Sequence, residues 1–111
     1  MERRIEVYVR DVVKSASGET IVVGIPNNNI SVKIGDLFIW VYFLSKKDIL
    51  ENTFSPTKLN QQRISLRVER IEVFRQRVFE LSHGTTGGLY FSGEGIELIA
   101  PKCFISTKEI A

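Results

Sequence analysis

Leu37-Phe38-Ile39-Trp40-Val41-Tyr42-Phe43-Leu44 is an unbroken apolar run built from β-branched and aromatic side chains. That composition favours strand over helix. The run is too short and too uniformly apolar for an amphipathic helix, and falls well below the roughly 20 residues that cross a bilayer. An open sheet containing it would present edges that template aggregation, and closure into a barrel removes those edges.

The flanking sequence supplies the partner strands. Ile5, Val7 and Val9 alternate with Glu6, Tyr8 and Arg10, the period of two expected of a half-buried strand. A polar turn at 14–19 leads into Thr20-Ile21-Val22-Val23-Gly24-Ile25, which Pro26-Asn27-Asn28-Asn29 ends, because proline cannot donate to a ladder and asparagine tolerates left-handed backbone. Ile34-Gly35-Asp36 opens the apolar run; Gly35 is expected in a conformation open only to glycine, with Asp36 accepting from a turn amide. Ile64, Leu66 and Val68 alternate with polar residues, but Ile71 and Val73 are out of phase by one. An extra residue near Glu69-Arg70 restores the phase, predicting a β-bulge, and places Val22, Val68 and Ile71 in the core. Further strands are expected at 77–81, 89–91, 96–99 and 102–105, with a glycine-rich turn at 82–88.

These segments, without a convincing long helix, predict an all-β, closed or nearly closed antiparallel barrel of six to seven strands. The 111 residues suit one domain, 1–111. One long loop, 45–62, mixes charge, amides and a proline. Loops of that length are more often functional than accidental. It reads either as a surface excursion tucked down by Ile49, Leu50, Phe54 and Leu59, or as holding a short helical turn near 46–52 capped by Ser45.

Composition narrows the function classes. Hydrophobic residues make up 43% and charged residues 25%, ordinary globular values. Fifteen Lys and Arg against thirteen Asp and Glu leave a net charge of +2, which argues against holding nucleic acid by bulk charge. A lone Cys103 and a lone His83 leave no disulfide framework, thiolate cluster or multi-histidine site. The beginning of the chain lacks the apolar core of a signal peptide, so a cytoplasmic location is expected.

Chemistry-bearing constellations are few. Gly84-Thr85-Thr86-Gly87-Gly88 lacks the lysine, hydroxyl and helix of a phosphate loop and reads as a tight turn. His83 has no identifiable base or orienting partner, and Asp11, Asp36, Glu94 and Glu97 show no metal or acid–base spacing. Cys103 reads as a small core residue. Arg63, Arg67, Arg70, Arg75 and Arg77 concentrate positive charge, and Tyr42, Phe74 and Tyr90 offer stacking faces for a single strand of nucleic acid. Glu69, Glu72 and Glu80 lie among them, which is the pattern of a salt-bridged, solvated face. No enzyme signature, cofactor site or nucleotide site is expected.

The order of the signals is informative in its own right. The strand 5–13, the turn and strand Gly18-Glu19-Thr20-Ile21-Val22-Val23-Gly24, and Val32-Lys33-Ile34-Gly35-Asp36-Leu37-Phe38 resemble the opening of the second domain of translational GTPases such as elongation factor Tu. The strand 66–75, the segment 84–93 and Ile99-Ala100-Pro101-Lys102 are similar to the later strands of that domain, so the resemblance covers most of 5–104. It implies a Greek-key barrel of the translation-protein type, without the GTPase, whose motifs are absent. In that family the barrel contacts the aminoacyl end of tRNA or ribosomal RNA. The loop 45–62 is longer than the family's usual excursion, and Pro101 stands where glycine is usual.

The expected function is a free-standing, non-catalytic module that recognises a protein, for example an immunity-type or accessory protein. The loop would carry the contact, with Phe54 and Leu59 as apolar anchors and Lys46, Lys47 and Lys58 steering an acidic partner. The alternative is an RNA- or ribosome-binding module using Arg67, Arg70 and Arg75.

Overall fold

The computed structural model of the protein describes residues 4–44 and 58–108. Among the described residues nine strands form: β1 Glu6–Lys14, β2 Thr20–Pro26, β3 Val32–Lys33, β4 Leu37–Leu44, β5 Lys58–Val73, β6 Gln76–Val78, β7 Glu80–Leu81, β8 Gly87–Glu94 and β9 Cys103–Ser106. The main sheet runs β4-β9-β1-β2-β8-β5-β6, and β4 also pairs with β5. That last pairing closes six strands into an antiparallel Greek-key barrel, leaving β6 as an extra strand in a hairpin on β5. β3 and β7 pair as a separate two-stranded ribbon.

The inward phase follows from the alternation in the sequence. Val7 and Val9 of β1, Val22 of β2, Leu66, Val68 and Ile71 of β5, and Ile105 of β9 are all at most 1% exposed. Phe38 of β4 packs edge-on against Phe91 of β8, with ring centroids 5.9 Å apart. The bulge expected at Glu69-Arg70 is present: the β5–β8 register slips between Val68 and Arg70, which is how Val68 and Ile71 both point inward. A matching slip in β1 lies between Val9 and Asp11. At the β5–β8 contact a side chain is excluded, since a Cβ on Gly93 would lie 1.9 Å from the Ser65 carbonyl oxygen.

Three expectations change. The loop placed at 45–62 ends earlier, because β5 begins at Lys58 and pairs Lys58 and Leu59 with Leu44 and Phe43. The proposed helical turn at 46–52 lies outside the described residues. The strand expected at 77–81 is two, β6 and β7, interrupted at Phe79. Val78 pairs with Ile71 while Leu81, fully buried, pairs with Val32. Those inward residues are three apart, which a period of two cannot satisfy, so the chain breaks between them and Phe79 falls outside. The strand expected at 96–99 is a 3₁₀ turn, Ile96–Leu98, entered through left-handed Gly95 at φ 101°. Among the described residues no helix is long and apolar enough to cross a membrane.

Candidate interaction surface

The turn before β4 is built as its sequence suggests. Gly35 sits at φ +95°, the Asp36 amide donates to the Lys33 carbonyl at 3.1 Å, and the Lys33 amide donates to Asp36 Oδ2 at 2.7 Å. The turn is also fastened to β5. The Gly35 amide donates to the Val68 carbonyl at 2.8 Å, and the Val68 amide donates to the Asp36 carbonyl at 2.9 Å. Arg67, exposed on the outer face of β5, reaches the Gly35 carbonyl through Nη1 at 3.4 Å.

The arginine-bearing strand is largely a paired face. Arg70 lies 3.7 Å above the centre of the Tyr90 ring. Its Nη2 is 3.3 Å from Glu19 Oε1, and its Nε is 3.6 Å from Glu72 Oε2, too far for a hydrogen bond. Tyr90 in turn donates to Glu72 Oε1 at 2.8 Å, and Ser92 donates to Glu69 Oε2. The Tyr90 hydroxyl, and after it the Glu19 carboxylate, hold the Arg70 guanidinium further toward its charged form, against partial desolvation. Arg63 stacks over Trp40 at 5.8 Å. The three arginines considered for RNA therefore diverge: Arg70 is internally committed, Arg67 leans on the Gly35 turn, and Arg75 stands exposed at the tip of the β5–β6 hairpin.

The stacking platforms diverge likewise. Tyr42 is only 4% exposed, stacks on Phe104 at 5.3 Å, and donates its hydroxyl to Glu6 Oε2 at 2.5 Å. Burial, then the Glu6 carboxylate, pushes that phenol above its ordinary range. Tyr90 is covered by Arg70. Phe74 alone is open, at 95% exposure. Cys103 is a buried core residue whose thiol is pushed up to about 11 by desolvation.

Of the residues assigned to a protein-binding loop, Lys46, Lys47 and Phe54 lie outside the described residues. Lys58 and Leu59 belong to β5 by backbone pairing. Sequence reasoning missed a different feature. Phe79 is 87% exposed, and its carbonyl accepts from the Ile34 amide at 3.4 Å. Beside it lies a cleft of about 300 Å³ lined by Ile34, Glu69, Arg70, Arg77, Val78 and Phe79. The signal was present in the sequence, since Val78 and Leu81 cannot share one strand phase.

No protein-family model matches the chain, and no curated protein does. Among solved structures it is similar to translation elongation factor SelB from Methanococcus maripaludis in its apo form, with a TM-score of 0.62 and 18% identity. The likeness covers 97% of this chain and 20% of that one, so this chain spans about one fifth of SelB. At that identity the shared property is the fold: a closed barrel of the kind found in a translation elongation factor.

Proposed function

We propose that the chain is a non-catalytic binding module whose partner is a protein, in the manner of an immunity-type or accessory protein. The observation that carries this reading is the state of the arginine strand. Its central residue, Arg70, is engaged by Glu19, Glu72 and Tyr90, while two phenylalanine rings stand in solvent nearby. Exposed aromatic rings with arginines beside them are the composition of protein-docking patches. Lys46, Lys47, Phe54, Lys58 and Leu59 belong to the same reading as a second contact region, with the lysines steering an acidic partner.

A second reading, an RNA- or ribosome-binding module of translation-factor type, is favoured by the fold likeness to an elongation factor and would draw on Arg67, Arg70 and Arg75. Tagged wild type, a variant with the 45–57 segment shortened, and Arg67→Ser/Arg70→Ser/Arg75→Ser are compared for protein capture and for retention of labelled RNA. Protein capture by the wild type that is lost on shortening, without arginine-dependent retention of RNA, is the expected result. RNA retention that depends on the arginines and falls steeply with salt replaces this reading with the second one.

A further inference from the structure

We infer that the β5–β6 hairpin is a docking arm for an acidic protein segment, with Phe74 and Phe79 as anchors and Arg75 and Arg77 as the charges that orient the partner. This rests on the protein-binding reading above and gives it a surface and a partner chemistry. Two independent observations support it.

The first is conformational. Val73 pairs with Gln76, so Phe74 and Arg75 form a two-residue hairpin turn, and both are left-handed, at φ 52° and 64°. Asn-Gly is the pair that such a turn favours, because positive φ crowds a Cβ against the backbone. A phenylalanine and an arginine here are strained. Neither is repaid by packing, since Phe74 is 95% exposed. Strained backbone of this kind clusters at functional sites, and here it stands on an exposed hairpin tip.

The second is the surface around Phe79. It stands 87% exposed at the rim of the 300 Å³ cleft, whose aliphatic walls are Ile34 and Val78. The charges select the partner. Glu69 is held by Ser92, and Glu72 by Tyr90 and Arg70. Arg75 and Arg77 are exposed and have no ion-pair partner among the described residues, although Arg77 sits opposite Glu72 in register. The tip of the arm therefore carries Arg75 and Arg77 against Glu72, while Glu69 and Glu80 lie toward its base, and the tip complements an acidic segment carrying aliphatic or aromatic side chains. Arg70 in the cleft wall is already engaged by Glu19 and Tyr90, which leaves few charges there for a phosphate backbone and favours protein over RNA.

The test presents the full chain to a displayed library of random peptides. Selected peptides are expected to carry Asp or Glu beside aliphatic or aromatic residues, and to bind Phe74→Ser/Phe79→Ser at least about tenfold more weakly. Arg75→Glu/Arg77→Glu should abolish the acidic selection. Selection without acidic bias, undiminished binding by the double phenylalanine variant, or no selection overturns the arm. In the first two cases the broader protein-binding reading survives and is judged by the capture experiment. A labelled oligouridine whose binding is lost in Phe74→Ser assigns the arm to RNA and overturns the proposal. Separately, Phe74→Asn/Arg75→Gly should raise the melting temperature by about 2–5 °C, by relief of left-handed strain, while losing peptide binding. An unchanged or lower melting temperature removes the strain argument.

Discussion

Two tight turns flank the same stretch of β5 and are built on opposite principles. The turn at 33–36 uses glycine where φ is +95°, satisfies its own amides through Asp36, and is fastened to Val68 on both sides. The turn at 73–76 demands left-handed backbone at two positions and fills them with Phe74 and Arg75, both solvated. The first turn has the residues that its geometry favours, so it belongs to the stability of the barrel. The second has residues that its geometry resists. What they teach together is that local fit marks structural turns, and that local misfit on an exposed rim is the contrast on which the proposed docking arm rests.

That contrast can be broken at several points. The largest effect is expected at the footing of the hairpin. Ile71 is fully buried and pairs with Val78, so Ile71→Ala should cost about 2–5 kcal/mol in urea unfolding. A near-neutral result would mean that the hairpin is not anchored through the core. Next is Gly35→Ala. The Cβ meets no atom within 4 Å, so any cost is conformational rather than steric, and more than about 1 kcal/mol is expected from the positive φ. Silence there would erase the difference between the two turns. Asp36→Ala, which removes the acceptor for the Lys33 amide, should cost about 1 kcal/mol. Opposite in sign, Phe74→Asn/Arg75→Gly should stabilise by about 0.5–1 kcal/mol, because relief of two left-handed residues outweighs glycine's greater entropy in the unfolded chain, read as a shift of the urea midpoint at constant slope. Smallest is Phe79→Ser, expected within about 0.5 kcal/mol of wild type because the ring is 87% exposed.

Much of the barrel was legible because inward phase is written in alternation. Val7, Val9, Val22 and Val68 announce their burial, and the one-residue slip before Ile71 announces the bulge that the β5–β8 register contains. The turn at Gly35 was legible because only one residue type fits its backbone comfortably. Less legible was the first part of β5. Lys58 and 60–63 are polar, and they are strand because the apolar run of β4 needs a paired neighbour along its whole length, a demand set by distant residues. The 3₁₀ turn at Ile96–Leu98 was hidden for a different reason, since Ile96 and Leu98 lie two apart around Glu97 and show the alternation of a strand. The candidate surface was the least legible. Arg70 and Arg75 look alike in sequence, and only tertiary pairing separates the arginine engaged by Glu19 and Tyr90 from the one left in solvent. Phe79 looked like an ordinary strand residue until the inward demands of Val78 and Leu81 were seen to conflict.

The position of β9 in the sheet has a temporal consequence. Cys103–Ser106 lies between β1 and β4, pairing Val7 with Ile105 on one side and Val41 with Ile105 on the other. A chain made from its N-terminal end reaches this strand after every other strand of the barrel has been synthesised. Until then β1 and β4 each present an open ladder, and β4 carries the most apolar sequence in the molecule. Closure therefore waits on a contact between residues nearly the whole chain apart, which makes folding slow by topology alone. The interval during which the nascent chain is most prone to self-association ends only when β9 slots into place.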